Sequence, residues 1–205
     1  MNTSFPYKVY NHPFGVKEYI CDDEFTHEEI ENSIKYLDKK YFNVGNIKHW
    51  DAPGYQTPYG DNLLYEKEFE KIRNTYLKCV REYVNQKNLI DDIDSGDYNL
   101  YSWCFLNWKT SPRAKNSRKW HTHNLGNPYA ISGIFYLKLP KTLGGETAFR
   151  IGGNIFELPS NKWRWFIFPS NYMHAPGPYG DEKRYVLSAD FWFDYNKHKH
   201  NYNLE

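Results

Sequence analysis

Residues 163–194, WRWFIFPSNYMHAPGPYGDEKRYVLSADFWFD, contain two apolar runs, 163–168 and 184–194, set apart by a stretch dense in Pro and Gly. Both runs are rich in aromatic and β-branched side chains and are bounded by turn residues, which reads as two strands. The same pattern extends upstream through 98–108 (YNLYSWCFLNW), 118–123 (RKWHTH), 130–139 (AISGIFYLKL), 146–151 (ETAFRI) and 154–158 (NIFEL). Pro112, Gly126, Pro128, Pro140, Gly144, Gly145, Gly152, Gly153 and Pro159 fall in the breaks.

Before Asp97 the pattern changes to helical. Thr26 with Glu29 three residues on is a capping-box signature, and Ile30, Ile34, Leu37 and Tyr41 follow at helical spacing. A second helix over roughly 64–86 places Phe69, Ile72, Tyr76, Val80 and Tyr83 on one face. HWDAPGYQTPYGDN between them reads as an irregular connection. The expectation is one domain over 1–205: a helical support region at 1–96, a β core at 97–194 and a polar tail at 195–205. The class is mainly β (α+β), with the helices packed on one face of a sheet or barrel.

A chain of 205 residues can bury one sizeable core. A net charge of +1 argues for neither a nucleic-acid binder nor an acidic tail, and an aromatic content of 19% suits a pleated, packed sheet. Cys21, Cys79 and Cys104 are too few and scattered for a disulfide framework and read as free thiols. The first residues lack the basic-then-apolar order of a secretory signal, and no run has the length of a membrane span. A soluble cytoplasmic protein is expected.

Of the eight histidines, His12, His27 and His49 read as ordinary surface or packing residues, and His198 and His200 belong to a solvated tail. His121 and His123 differ in context. Alternate residues of a strand share a face, so the two imidazoles are placed to chelate one metal ion, with a stacked, hydrogen-bonded pair as the plain alternative. His174, just past the end of the run at 163–168, qualifies as a third ligand from a distant strand.

HxH, about fifty residues, His, and ten residues later Arg resembles the HxD/E…H…R pattern of the iron(II)/2-oxoglutarate oxygenases. SGIFYLKLP at 132–140 and GGETAF at 144–149 look like segments of the prolyl-hydroxylase-like members. FPSNYMHAPGPYGDEKRYVLSADFWFD at 168–194 looks like their distal-histidine strand, loop and arginine strand. The helices and the GYQTPYG connection also resemble the oxygenase group common in marine phages and bacteria, which would place the action in a host cytoplasm. The resemblance covers roughly 98–194 and implies a double-stranded β-helix (jelly roll) with Fe(II), 2-oxoglutarate as cosubstrate and O2.

By the same resemblance, His121 and His174 take the places of the two histidine ligands, and Arg184 that of the arginine on the far carboxylate of 2-oxoglutarate. Tyr136 falls where a pocket tyrosine donates to that carboxylate, with Ser132 on its strand face and Ser188 on the face of Arg184. Asn107 falls where a polar residue contacts the iron-side end of the cosubstrate. The departure is His123, where the family has a carboxylate. A neutral third ligand leaves the metal more positive and softer toward nitrogen-preferring ions. Three arrangements are open: a three-histidine iron site that runs the oxygenase chemistry, His123 turned away with water or another group completing the shell, or catalysis lost or altered. Glu146 is the nearest carboxylate in sequence, although the matching family position is not a ligand.

The implied chemistry is oxidation of a substrate C–H bond, hydroxylation by default, with 2-oxoglutarate converted to succinate and CO2. KTSPRAKNSRK at 109–119 carries five basic residues and no acid directly ahead of the histidines, so it reads either as a flap attracting an acidic substrate or as a solvated loop. Trp103, Trp108 and Trp120 nearby suit core packing, or stacking on a ring. Two rival readings are a cupin-like three-histidine metalloprotein that does not use 2-oxoglutarate and a non-catalytic binding module on the same fold. HTHNLGNPYA lacks the Glu that cupins place after HxH, and a cupin leaves Arg184 without a special role.

Overall fold

The computed structural model of the chain describes residues 5–44, 48–49, 54–85, 87–107, 120–123, 127, 130–141, 146–159, 161–176 and 182–194. Eleven strands and three α-helices are placed among them. In chain order these are β1 (Lys8–Asn11), β2 (Lys17–Ile20), α1 (His27–Leu37), β3 (Lys48–His49), β4 (Tyr55–Gln56), α2 (Glu70–Val84) and α3 (Lys87–Ser95), then β5 (Asn99–Asn107), β6 (Ile131–Lys138), β7 (Thr147–Ile151), β8 (Asn154–Glu157), β9 (Trp165–Pro169), β10 (Met173–Pro176) and β11 (Arg184–Trp192). The larger sheet has the order β1-β2-β9-β6-β11-β5-β4-β3 and the smaller one β10-β7-β8, with antiparallel pairing throughout. An isolated bridge from His121 to His174 extends the smaller sheet beyond β10. Together the sheets form the double-stranded β-helix.

The central strands β6, β9 and β11 are buried on both faces, which is why their sequences read as continuous apolar runs rather than alternating ones. On one face Phe135, Leu137, Trp165, Ile167, Leu187, Ala189 and Phe191 join a core with Ile30, Ile34, Leu37, Ile72, Tyr76 and Val80 of the helices. On the other face Ile134, Tyr136, Phe166, Phe168 and Val186 close over Phe149 of the smaller sheet and form the barrel interior. The helical layer therefore leaves the second face for the site. The Tyr76 ring of α2 packs at a tilt against Trp165, centroids 4.4 Å apart, and the Trp165 indole donates to Thr75 at 3.1 Å. The close approach depends on Gly133, where an added Cβ would come within 2.5 Å of the Tyr76 ring.

The Thr26–Glu29 capping box forms with both of its hydrogen bonds. The α1 periodicity runs on through a π turn at Asp38–Phe42 that buries Tyr41. Three short 3-10 turns precede α2, so the regular helix begins at Glu70 rather than near 64. Residues 1–96 also supply α3 and four short strands that the sequence reading leaves unassigned. The strand read at 163–168 starts at Trp165, because Trp163 adopts a left-handed φ of 61° that breaks the extended chain. All three cysteines are buried free thiols. No helix among the described residues is long and apolar enough to cross a membrane.

Candidate metal centre

His121 and His174 face each other across the two sheet segments. Each backbone N–H donates to the other's carbonyl at 2.9 Å, so the two residues are clamped side by side. The His123 backbone N–H donates to the Ser170 carbonyl at 2.9 Å, pinning the second histidine to the turn between β9 and β10. The run read as a strand at 118–123 thus contributes one bridge residue, His121, and two backbone clamps, while 118–119 lie outside the described residues. His174, expected just beyond a strand, is itself the second residue of β10.

The three rings converge, with centroids 4.4 Å apart for His121–His174, 4.7 Å for His123–His174 and 5.3 Å for His121–His123. One ring nitrogen of each lies within 4.8 Å of the others, and among the described residues these three form the cluster of candidate metal ligands. Glu146, the nearest carboxylate in sequence, is not in that cluster. His123 faces the other two histidines rather than turning away.

Nδ1 of two of the three rings has a partner away from the cluster. Nδ1 of His174 lies 2.9 Å from the Tyr172 carbonyl, an acceptor only, so Nδ1 carries the proton and Nε2 keeps its lone pair. Nδ1 of His123 lies 2.9 Å from the Asp190 carboxylate and 3.2 Å from the Ser132 hydroxyl. Ser132 donates to the same carboxylate oxygen at 2.6 Å. Burial, with His123 and His121 beside it, holds His174 well below the usual imidazole range, so it is neutral near pH 7 and able to ligate. Trp103 abuts His123 at 5.2 Å, and Phe168 and Phe149 abut His174 at 5.1 and 5.7 Å, which gives the cluster an apolar wall. The donor set, three imidazoles each bringing one ring nitrogen to a common point, fits a divalent first-row metal.

Arg184 opens β11 six residues before Asp190, and the two share a strand face with Val186 and Ser188. Its side chain is 2% exposed. The guanidinium lies 5.2 Å from the Tyr136 ring centroid and donates from Nη1 to Asn107 Oδ1 at 3.1 Å. The Tyr136 hydroxyl is 2.8 Å from that of Thr147.

The structure thus gathers the sequence-derived residues into two groups and redistributes two of them. Ser132, on the Tyr136 face of β6 as expected, bonds to Asp190 beside His123 instead of joining the arginine group. Asn107, expected at the iron-side end, is paired in register with Arg184 and bonded to it. Ser188 is half-buried between the groups, opposite Ile134 and Trp103. Asp190, Thr147 and Gly54 belong to the site as well, beyond the residues expected from the sequence. Asp190 had a signal, as a lone acid in the apolar run YVLSADFWF, where a buried carboxylate requires a partner. Thr147 lay inside GGETAF. Gly54 lies against the Asn107 amide, which a Cβ there would strike. The basic run 109–119, Trp108 and the tail histidines lie outside the described residues.

No family model matches the chain, and no curated protein matches it. Solved structures do. The epimerase SnoN in complex with Fe3+, alpha ketoglutarate and nogalamycin RO is 12% identical over 87% of this chain and 79% of its own, with a TM-score of 0.62. HygX from Streptomyces hygroscopicus, with nickel and 2-oxoglutarate bound, is 12% identical over 88% and 84%, with a TM-score of 0.60. A prolyl-4-hydroxylase from Pseudomonas putida is 11% identical over 86% and 92%, with a TM-score of 0.55. At these identities the likeness establishes a shared fold.

Proposed function

We propose that this chain is a non-haem iron(II), 2-oxoglutarate-dependent dioxygenase that oxidises a C–H bond of its substrate. The observation that carries the reading is the pairing of sites on one jelly roll: three histidine nitrogens converging beside the barrel interior, and a buried arginine on the interior-facing side of β11. The fold is the one in which SnoN and HygX hold a metal and 2-oxoglutarate.

His121, His123 and His174 would hold the iron, each through one nitrogen. Iron held there, with 2-oxoglutarate and O2, would supply the oxidising power for the C–H bond, with succinate and CO2 as the products of the cosubstrate. The chain's own residues bind, orient and exclude water. Arg184 grips the far carboxylate of the 2-oxoacid, Asn107 fixes the plane of the guanidinium, and Tyr136 and Thr147 add hydroxyls beside it. Trp103, Phe149 and Phe168 keep water from the reacting centre. No general acid or base is required.

An acidic substrate is the class this reading favours. The run at 109–119 carries five basic residues and no acid immediately before the ligands. Arg150, stacked 4.5 Å over Trp120 next to His121, adds positive charge.

Thermal shift with Mn(II) and the 2-oxoglutarate mimic oxalylglycine tests the proposal, since a ligand that binds the folded state raises its melting temperature. The expected outcome is a metal-dependent shift by the mimic that disappears in Arg184→Ala, with succinate formed by the Fe(II) protein. Metal binding with neither a 2-oxoacid shift nor succinate would favour the cupin-like alternative. Absence of any metal shift would overturn the proposal.

A further inference from the structure

We infer that Asp190, acting through His123, supplies the negative charge that the three neutral ligands lack and sets the nitrogen His123 offers to the metal. The inference rests on the metal-binding part of the function proposed above. Three imidazoles bring no charge to a divalent cation, and a cation in a largely dehydrated site is costly without an anion close by. Asp190 is 3% exposed, and its Oδ1 lies 2.9 Å from His123 Nδ1.

A carboxylate only accepts, so the proton of this bond belongs to Nδ1 and the lone pair of His123 lies on Nε2. Ser132 spends its hydroxyl hydrogen on the same oxygen at 2.6 Å, which fixes the carboxylate without competing for the metal. The assembly is carried by regular structure. Asp190 is in register with Ser132 on β6 and with Tyr101 on β5, in the middle of the larger sheet, and Trp103 closes the other side of the His123 ring. A carboxylate hydrogen-bonded to a ligating imidazole raises its basicity and holds its plane. The His123–Asp190 pair is therefore an anionic ligand unit, its charge one residue further from the metal than a directly bound carboxylate would place it. Asp190 is a positioning residue in this scheme, since it touches no substrate and no metal.

The test is Mn(II) and Co(II) titration of the full chain without 2-oxoglutarate, comparing the unmodified protein with Asp190→Asn, His174→Ala and the double variant His123→Asp/Asp190→Asn. Asn keeps the shape and an acceptor oxygen but removes the charge. Asp190→Asn is expected to lose about 10- to 100-fold in metal affinity, in the range found for such outer partners. The double variant returns a carboxylate to the metal itself and is expected to recover most of that loss, which a purely structural role for Asp190 would not produce. A double variant no better than Asp190→Asn overturns the charge argument. Unchanged affinity in Asp190→Asn, with binding abolished in His174→Ala, overturns the role of Asp190 and leaves the three-histidine site standing. If the unmodified chain binds neither ion, both fall. Should Asp190→Asn fail to fold, proton NMR of the Co(II) form of the unmodified chain decides. A slowly exchanging, shifted imidazole N–H that vanishes in His123→Asp supports the bond to Asp190, and rapid exchange of that proton overturns it.

Discussion

Arg184 sits under cover with an aromatic ring on one side and an amide oxygen on one nitrogen, a setting built for the shape of guanidinium as much as for its charge. Arg184→Lys keeps the charge but loses the planar fork. It is expected to weaken 2-oxoglutarate binding at least tenfold, a change of about 1.4 kcal/mol, while Mn(II) affinity at the histidines stays as it was; calorimetric titration of each ligand separates the two. His174 carries a pH prediction for the metal-free chain. Its folded-state value is held below the ordinary 6.5 by burial and by His123 and His121. Above that pH neither state takes up the proton. As the pH falls below it, the unfolded chain binds a proton that the folded one refuses, so stability declines by up to about 1.36 kcal/mol per pH unit until the folded value is reached. Urea denaturation at pH 7.5 and 5.5 is expected to show this loss, and His174→Leu to lose less over the same interval. The candidate cluster of His121, His123 and His174 was legible from strand spacing and local sequence, and Arg184 only through the family resemblance. The roles of Ser132 and Asn107 were not, because which residue lies opposite which depends on the registers of β6, β11 and β5, and those are set by the folded sheet.

Between strand and helix, the tightest contact is at Gly133, where the β6 backbone makes room for the Tyr76 ring and the face of Trp165. Gly133→Ala is expected to cost about 1–3 kcal/mol through overpacking, read as a lower urea midpoint at unchanged slope. Its Cβ points to the helical layer, so metal affinity of the folded variant should hold. Elements that declare themselves locally were legible: the capping box of α1 is contained in four consecutive residues, and the doubly buried strands β6, β9 and β11 have apolar runs too short for helices. Elements defined by partners were not. β10 is four residues, MHAP, ending in a proline, and only pairing with β7 makes it a strand. β1 and β2 are equally short and gain their place from each other and from β9. α3 is nine residues with its apolar positions at Leu89, Ile90 and Ile93, too brief for the periodicity to stand out.

Over the whole molecule, the larger sheet is a partition, with helices and their aromatic-rich core on one side and the histidine and arginine groups on the other. Substitutions in the helical layer should act on stability, and those on the barrel side on ligand binding. Leu37→Ala, at a fully buried position of α1, is expected to destabilise by about 2–5 kcal/mol and to leave the Mn(II) affinity of the folded fraction unchanged. The mutual clamp of His121 and His174 has a further consequence, for chain connectivity. These residues bracket about fifty positions that include β6, β7, β8 and β9. An ion gripping both side chains staples the ends of that segment together, as a disulfide would, but reversibly. By the entropy of closing such a loop the staple is worth up to about 4 kcal/mol against unfolding. Without the ion the three-stranded sheet depends on its own short ladders. Chelation is therefore expected to speed amide hydrogen exchange first in β7, β8 and β10 and last in β6 and β11, so that a cofactor would also serve as a removable seam in the barrel.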